Sequence, residues 1–514
     1  GSPRAAPGTR AHSSTGPAMG IENKRGELAE IQGQLKQLAG KPASSQQVRD
    51  LRRELFKRVI GYMTVQIDMS PIFSEMILNA ATVDIPTKKM LYLYITHYAS
   101  AKPDLALLTI NTLQKDSRDD DPTVRGLAIR SLSSLRVPDL IEYLIQTIEQ
   151  GLKDSHAYPR KSAAMGVLKV HDLDPSALAE TELLPLVRTL LTADRDAEVV
   201  ANCLTVLRET DGLERHATKS TVYALLNRLK GFSEWHQCLV LELVSHYRAE
   251  SQTEMFDLMN ALEDRLQHSN SAVVLATIRV FLQLTLEAAE VHQQVYERLK
   301  SPLVTLASTA TVPEVAYGVW THLHLLVTRA PVLFSTDYKS FFCRANDSAA
   351  VKKLKLEMLT AAADQVNAYD VVTELSEYVM DTDSEVARLS VRAVGQIALK
   401  VMEVPGIVDR LLQFLEMDTA YVQAEALLMV ADVVRTFPAR AGDCVLALQG
   451  VSLAGVSDAA ARAALVYLLG EYGDVLPEAP YELETPLRDF AEEETAEVRL
   501  ALLTAGGKCF LKRP

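Results

Sequence analysis

An acidic turn, a valine or its stand-in, and then an apolar helix recur along this 514-residue chain, and nothing else in it narrows the fold as much. The unit reads DDDPTVRGLAIRSL at 119–132, DSHAYPRKSAAMGVLKV at 154–170 and DRDAEVVANCLTVLRE at 194–209. In a column, the position of Val124 returns as Pro159, Val199, His236, Val273, Val315, Val351, Val386, Val422, Ala461 and Val498, at intervals of 35 to 42 residues. A period of about 37 residues with helical content between the marks is the signature of stacked helix pairs.

The stretch at 119–152 shows why each unit is a hairpin. Asp121 is placed to cap a helix whose first turn holds Pro122, where a missing N–H costs nothing. Val124, Leu127, Ala128, Leu132 and Leu135 then share one face. Pro138 opens a second helix with the stripe Leu140, Tyr143, Leu144, Ile148 and Leu152. One such pair cannot bury two apolar faces alone, whereas stacked neighbours bury them as a continuous core. Period-two runs bounded by Asn-Gly or Asp-Gly turns are missing, and most of the 21 prolines precede helical patterns. The expected fold is all-α: an α-solenoid of HEAT- or armadillo-like hairpins, about a dozen units long.

The expected layout is a disordered tail or a gene-model artefact over 1–25, an amino-terminal helix and linker over 26–45, and the solenoid over 46–514. The tail lacks an initiator methionine and is rich in proline and glycine, with Met19 as an alternative start.

Charge and composition exclude several classes of function. Of the net charge of −13, residues 1–60 carry +6 and the rest −19, so the body is a poor general binder of nucleic acid. No run approaches the roughly 18 apolar residues of a membrane span. Five cysteines stand singly, without CxxC spacing, as small core residues in a reducing compartment do. GxxxxGK[ST], HExxH, GxSxG and calcium-loop patterns are missing, so no catalytic, metal or cofactor residue is assigned. His322 and His324 are two apart and point in different directions on a helix. The acidic runs at Asp119–Asp121 and Glu492–Glu494 precede helices, where carboxylates favour the positive end of the dipole. Two basic clusters are candidates for anionic lipid: Arg52, Arg53, Lys57 and Arg58 with Arg49 before them, and Lys352, Lys353 and Lys355. The competing reading of both is a solvated helix face.

Residues 56–144, from FKRVIGYMTVQIDMSPIF to LRVPDLIEYL, resemble the trunk of beta-type large adaptin subunits. Later stretches, VVANCLTVLRE, VHQQVYERLKSPL, KKLKLEMLTA and IVDRLLQFLEM, are most similar to the beta subunit of adaptor protein complex 4, and the resemblance runs over roughly 46–513. It implies a non-enzymatic scaffold that pairs with a second large subunit, holds medium and small subunits, and sorts cargo into vesicles as a heterotetramer. It also implies a cytoplasmic protein peripheral on trans-Golgi network and transport-vesicle membranes, recruited by an Arf-family GTPase in its GTP form. Such subunits continue past GGKCFLKRP into further trunk helices, a hinge and an ear, so the chain is expected to stop short of those parts. An Arf contact in related trunks falls on the helix after a Pro-Asp turn. In KPDLALLTINTLQ the matching residues are Leu107 and Ile110, with Leu105 and Leu108 as the stripe expected in the core; the competing reading is that neighbouring helices bury both stripes. The alternative is another solenoid adaptor, a coatomer subunit or a nuclear transport receptor.

Overall fold

The computed structural model describes residues 17–41, 45–81, 84–135, 137–401, 406–491 and 495–512. Over these it has 27 α-helices, 11 short 3-10 segments and no β-strand. The fold is the expected all-α solenoid of helical hairpins. Its contacts gather into two units, Gly1–Ala261 and Leu262–Pro514.

Within the first unit, the acidic turns start helices as capping chemistry requires. Asp84 accepts the N–H of Thr87 at 3.1 Å, Asp121 that of Thr123 at 2.8 Å, and Asp196 those of Glu198 and Val199 at 2.9 and 3.0 Å. Each cap satisfies a donor that the helix leaves orphaned, contributing about 1 kcal/mol. The recurring position is the third after the cap, and there Val124, Pro159 and Val199 are buried. The same phase extends upstream to Thr87, 1% exposed, which escapes an apolar pattern search because threonine reads as polar. In the second unit, Ser348, Asp383 and Asp458 cap the helices Ala349–Ala362, Ser384–Lys400 and Ala459–Glu471. Val351, Val386 and Ala461 are buried behind them.

Two marks depart from the pattern. His236 is half-buried, and the buried place passes to Gln237, whose amide donates to the carbonyl of Phe232 at 3.0 Å. Val315 is also half-buried, after a helix start whose Val312 has no side-chain oxygen to cap with.

The acidic turns have a second duty. Arg125 crosses to the following turn and holds Asp154 through two hydrogen bonds of 2.7 and 2.9 Å, while its third nitrogen donates to the carbonyls of Asp119 and Asp120. Arg160 repeats this on Asp194 and on the carbonyls of Asp154 and Ser155. Each aspartate also accepts the N–H of the residue two positions on, so one carboxylate both folds its turn and ties it to the previous hairpin. In the second unit Lys352 and Asp381 occupy the corresponding places, with Asp381 folding its turn through the N–H of Asp383.

The hairpin expected at 119–152 forms as the helix Pro122–Ser133, a 3-10 turn Pro138–Leu140 and the helix Ile141–Leu152. Leu140, Leu144, Ile148 and Leu152 are buried as expected, but Tyr143 is 45% exposed. Leu127 is only half-buried and Ile129 takes the core, because neighbours on both sides rotate the apolar stripe. At the amino end, a helix runs Pro17–Leu38, ahead of the expected start at residue 26. Pro17 is tolerated there because a first-turn residue has no intrahelical N–H bond to lose. Ile31, Leu35 and Leu38 bury this helix in the first unit. Residues 1–16 and Glu492–Glu494 lie outside the described residues. No described helix is long and apolar enough to cross a membrane.

Candidate recruitment surface

The helix Pro103–Asp116 begins with proline at its first position and carries Asp104 in the first turn and Lys115 in the last, matching the dipole at both ends. Its carboxyl end is clamped. Asp116, 7% exposed, takes a hydrogen bond of 2.6 Å from the Lys88 ammonium and another from the Tyr92 hydroxyl, both on the helix Ile85–Tyr98. Burial first, and then the Asp116 carboxylate, push the Tyr92 hydroxyl far above its ordinary pKa, so it stays a donor.

That clamp sets which residues face out. Thr109, Ile110 and Leu113 are buried where the helix meets Phe73–Leu78 and Pro122–Ser133. Leu107 and Leu108 stand 40% and 60% exposed. The expected stripes are thereby corrected. Leu108 is an outer residue and not core, Leu105 is half-buried, and Ile110, 5% exposed, lies inside while Leu107 lies outside. The sequence located two apolar stripes but ranked their burial wrongly, because rank depends on where the neighbouring helices sit. Leu78 and Leu93 are two further exposed apolar side chains in this unit.

The basic clusters divide in the same way. Arg52, 2% exposed, is a core residue that donates to Asn79 and to the carbonyls of Ala81 and Leu38, and burial lowers its pKa. Arg53 pairs with Asp84 at 3.1 Å and Arg58 with Glu30 at 3.7 Å, and Lys57 is exposed. Lys355, 1% exposed, is bonded to Asp347 and to the carbonyl of Phe342, with its ammonium 4.4 Å from the centre of the Trp320 ring. Lys352 and Lys353 are taken by Asp381 and Glu385 of the next acidic turn. Arg52 and Lys355 are therefore removed as lipid contacts, since a buried cation held by hydrogen bonds inside the fold offers no charge to a surface. The partners Asn79 and Asp347 are what the sequence pattern could not supply.

No group of three or more metal-ligating side chains gathers among the described residues. His322 bonds to the carbonyl of Gly318 and His324 to Glu357, each at 2.8 Å. Burial pushes the Cys203 thiol up to about 12 and those of Cys343 and Cys444 up to about 11, so these are inert packing residues at neutral pH.

A family model described as the adaptin N terminal region matches residues 27–514. The chain belongs to the adaptin family. This adaptin is 51% identical over 501 residues to "Beta-adaptin-like protein A" of Arabidopsis thaliana, an alignment covering 95% of the chain and 59% of that protein. It is 33% identical to "AP-4 complex subunit beta" of Dictyostelium discoideum, covering 96% of the chain and 62% of the relative. With the human "AP-1 complex subunit beta-1" the identity is 32%, with coverage of 96% and 51%. The adaptin chain thus spans between half and two thirds of the length of these relatives. It superposes with a TM-score of 0.62 and 21% identity on a chain of a homology model of "the full-length AP-3 complex in an intermediate open conformation", covering 96% of this chain and 85% of that one. That likeness is one of fold.

Proposed function

We propose that this adaptin is the trunk of a beta-type large subunit, a non-enzymatic scaffold in a heterotetrameric vesicle-coat adaptor that sorts cargo. The observation carrying this reading is the unbroken similarity to beta-type subunits along nearly the whole chain. Affinity purification of the tagged protein from its native cell, followed by mass spectrometry, tests it. A second large, a medium and a small adaptin subunit are expected in equal amounts. Recovery of Ran with import cargo, or of coatomer subunits, sinks the proposal.

Within that reading, the chain serves a complex of the fourth type at the trans-Golgi network, in line with the stretches quoted from 199–209 and 291–417. Because the identities to fourth-type and first-type beta subunits are nearly equal, the identity of the co-purified large subunit decides this point. Recruitment runs through an Arf-family GTPase in its GTP form at Leu107, with Ile110 behind it holding the helix in place. Peripheral membrane contact falls to Arg53, Lys57 and Arg58. Co-sedimentation with vesicles containing anionic lipid checks it, and Lys57→Glu should reduce the bound fraction.

A further inference from the structure

In the second unit, a groove of about 1110 Å³ opens between the helix His292–Thr309 and the segment 329–336. Ala289, His292, Tyr296 and Lys300 line one wall at helical spacing, and Arg329, Pro331 and Val332 line the other. Val332 is 85% exposed and Leu286, at the opposite rim, 54%. Two large aliphatic side chains are thus held in water over a preformed hollow.

The interior is ordered. His292 donates from Nε2 to the carbonyl of Thr285 at 2.6 Å, and its ring stacks on Tyr296 with centroids 5.7 Å apart. Lys300 donates to the carbonyl of Leu333 at 2.8 Å, pairs with Asp337, and rests 5.6 Å from the centre of the Phe334 ring. These bonds pin the segment 333–337 to the helix and keep the groove open. The lining carries Lys300, Arg329 and His292 but no carboxylate, in a chain whose net charge is −13. Asp337, just outside the lining, is engaged by Lys300. Arg329 is exposed and has no ion-pair partner among the described residues, so one cation faces the hollow uncompensated.

We propose that this groove docks a short segment of a partner protein in which an aromatic side chain lies beside carboxylates. The aromatic ring covers Val332 and Leu286 and meets the His292–Tyr296 stack, where ring–ring contact adds to burial of area. The carboxylate meets Arg329, whose planar fork suits it. The rigid lining spares the protein side of the ordering cost that weakens most peptide binding.

Fluorescence anisotropy with the purified full chain tests this, using labelled Gly-Ser-Trp-Glu-Asp-Ser-Gly and the reversed order Gly-Ser-Asp-Glu-Trp-Ser-Gly. Two controls replace Glu-Asp by Gln-Asn, or Trp by Ser. The acidic tryptophan peptide, in at least one order, should bind about tenfold tighter than both controls. Arg329→Glu and Val332→Asp should each weaken it about tenfold or more while leaving the melting temperature in place, since both side chains are exposed. The proposal is overturned if neither order binds below about 1 mM, if a control binds equally well, or if binding survives both substitutions.

Discussion

Arg160 reaches out of its own helical hairpin to grip Asp194 in the turn that opens the next one, through hydrogen bonds of 2.6 and 3.0 Å. Burial alone would raise the Asp194 carboxyl, but the Arg160 guanidinium and the N–H groups of Asp196 and Arg195 outweigh it and hold the group below the ordinary carboxylate range. Asp194→Ala should strand Arg160 and unfold the turn at once. The expected loss is about 2 to 3 kcal/mol, under the roughly 3–5 of a fully buried pair because Arg160 keeps some contact with water. Urea denaturation measures it, and a loss under about 0.5 kcal/mol would show that the tie between hairpins is ornamental.

The same carboxylates make stability fall with acid. Asp154, Asp194 and Asp381 are all depressed: the first two against burial by Arg125 and Arg160, the third by the N–H of Asp383 and by Lys352. A depressed carboxyl contributes stability above its unfolded value of about 3.9, and that contribution is lost as pH falls through the lower folded value. Melting temperature should therefore drop steadily below about pH 4. The triple variant Asp154→Asn, Asp194→Asn, Asp381→Asn should show a shallower acid slope, and an unchanged slope would place the acid sensitivity elsewhere.

Leu107 and Ile110 should separate cleanly under mutation. Leu107→Asp, on an exposed side chain, should change stability by no more than about 0.5 kcal/mol and abolish GTP-dependent Arf binding. Ile110→Asp puts a carboxylate into the core beside Leu113 and should cost about 3 kcal/mol or more. Thermal melts and pull-downs with GTP-locked Arf read the two effects. A stable Leu107→Asp protein that binds at full strength removes this helix from the contact.

Two glycines predict opposite signs for one substitution. A methyl on Gly470 would lie 2.5 Å from the Cα of Ala505 on the facing helix, where backbone has to yield, so Gly470→Ala should destabilise by about 1 to 3 kcal/mol. Gly318, inside the helix Pro313–Arg329, has open space around it. Gly318→Ala should stabilise by about 0.5 to 1 kcal/mol, the ordinary gain in helix propensity. A Gly470→Ala protein that melts no lower than the parent would contradict the packing of the helices Ala459–Glu471 and Ala496–Lys512, and a Gly318→Ala protein that melts lower would contradict the open space at Gly318.

The sequence by itself determined the hairpins, because everything that makes one is local. A capping oxygen at Asp121 or Asp383 acts within three residues, and an apolar stripe such as Leu144, Ile148 and Leu152 repeats within one turn. Those signals survive in one dimension, as does the long ordered likeness to adaptins. Only the tertiary structure decided what each hairpin does to the next. Arg125 finds Asp154 at 29 residues' distance, and Lys355 is drawn inside by Asp347 and Trp320, so charges that read as a basic face became ties and core. The ranking of Leu107 and Leu108 above Ile110 as surface, and the hollow beside Arg329, come from the same source. Helical spacing fixes the angle of a side chain about its own axis, whereas exposure and pairing depend on where the neighbouring axes lie, and no periodicity within one helix records that.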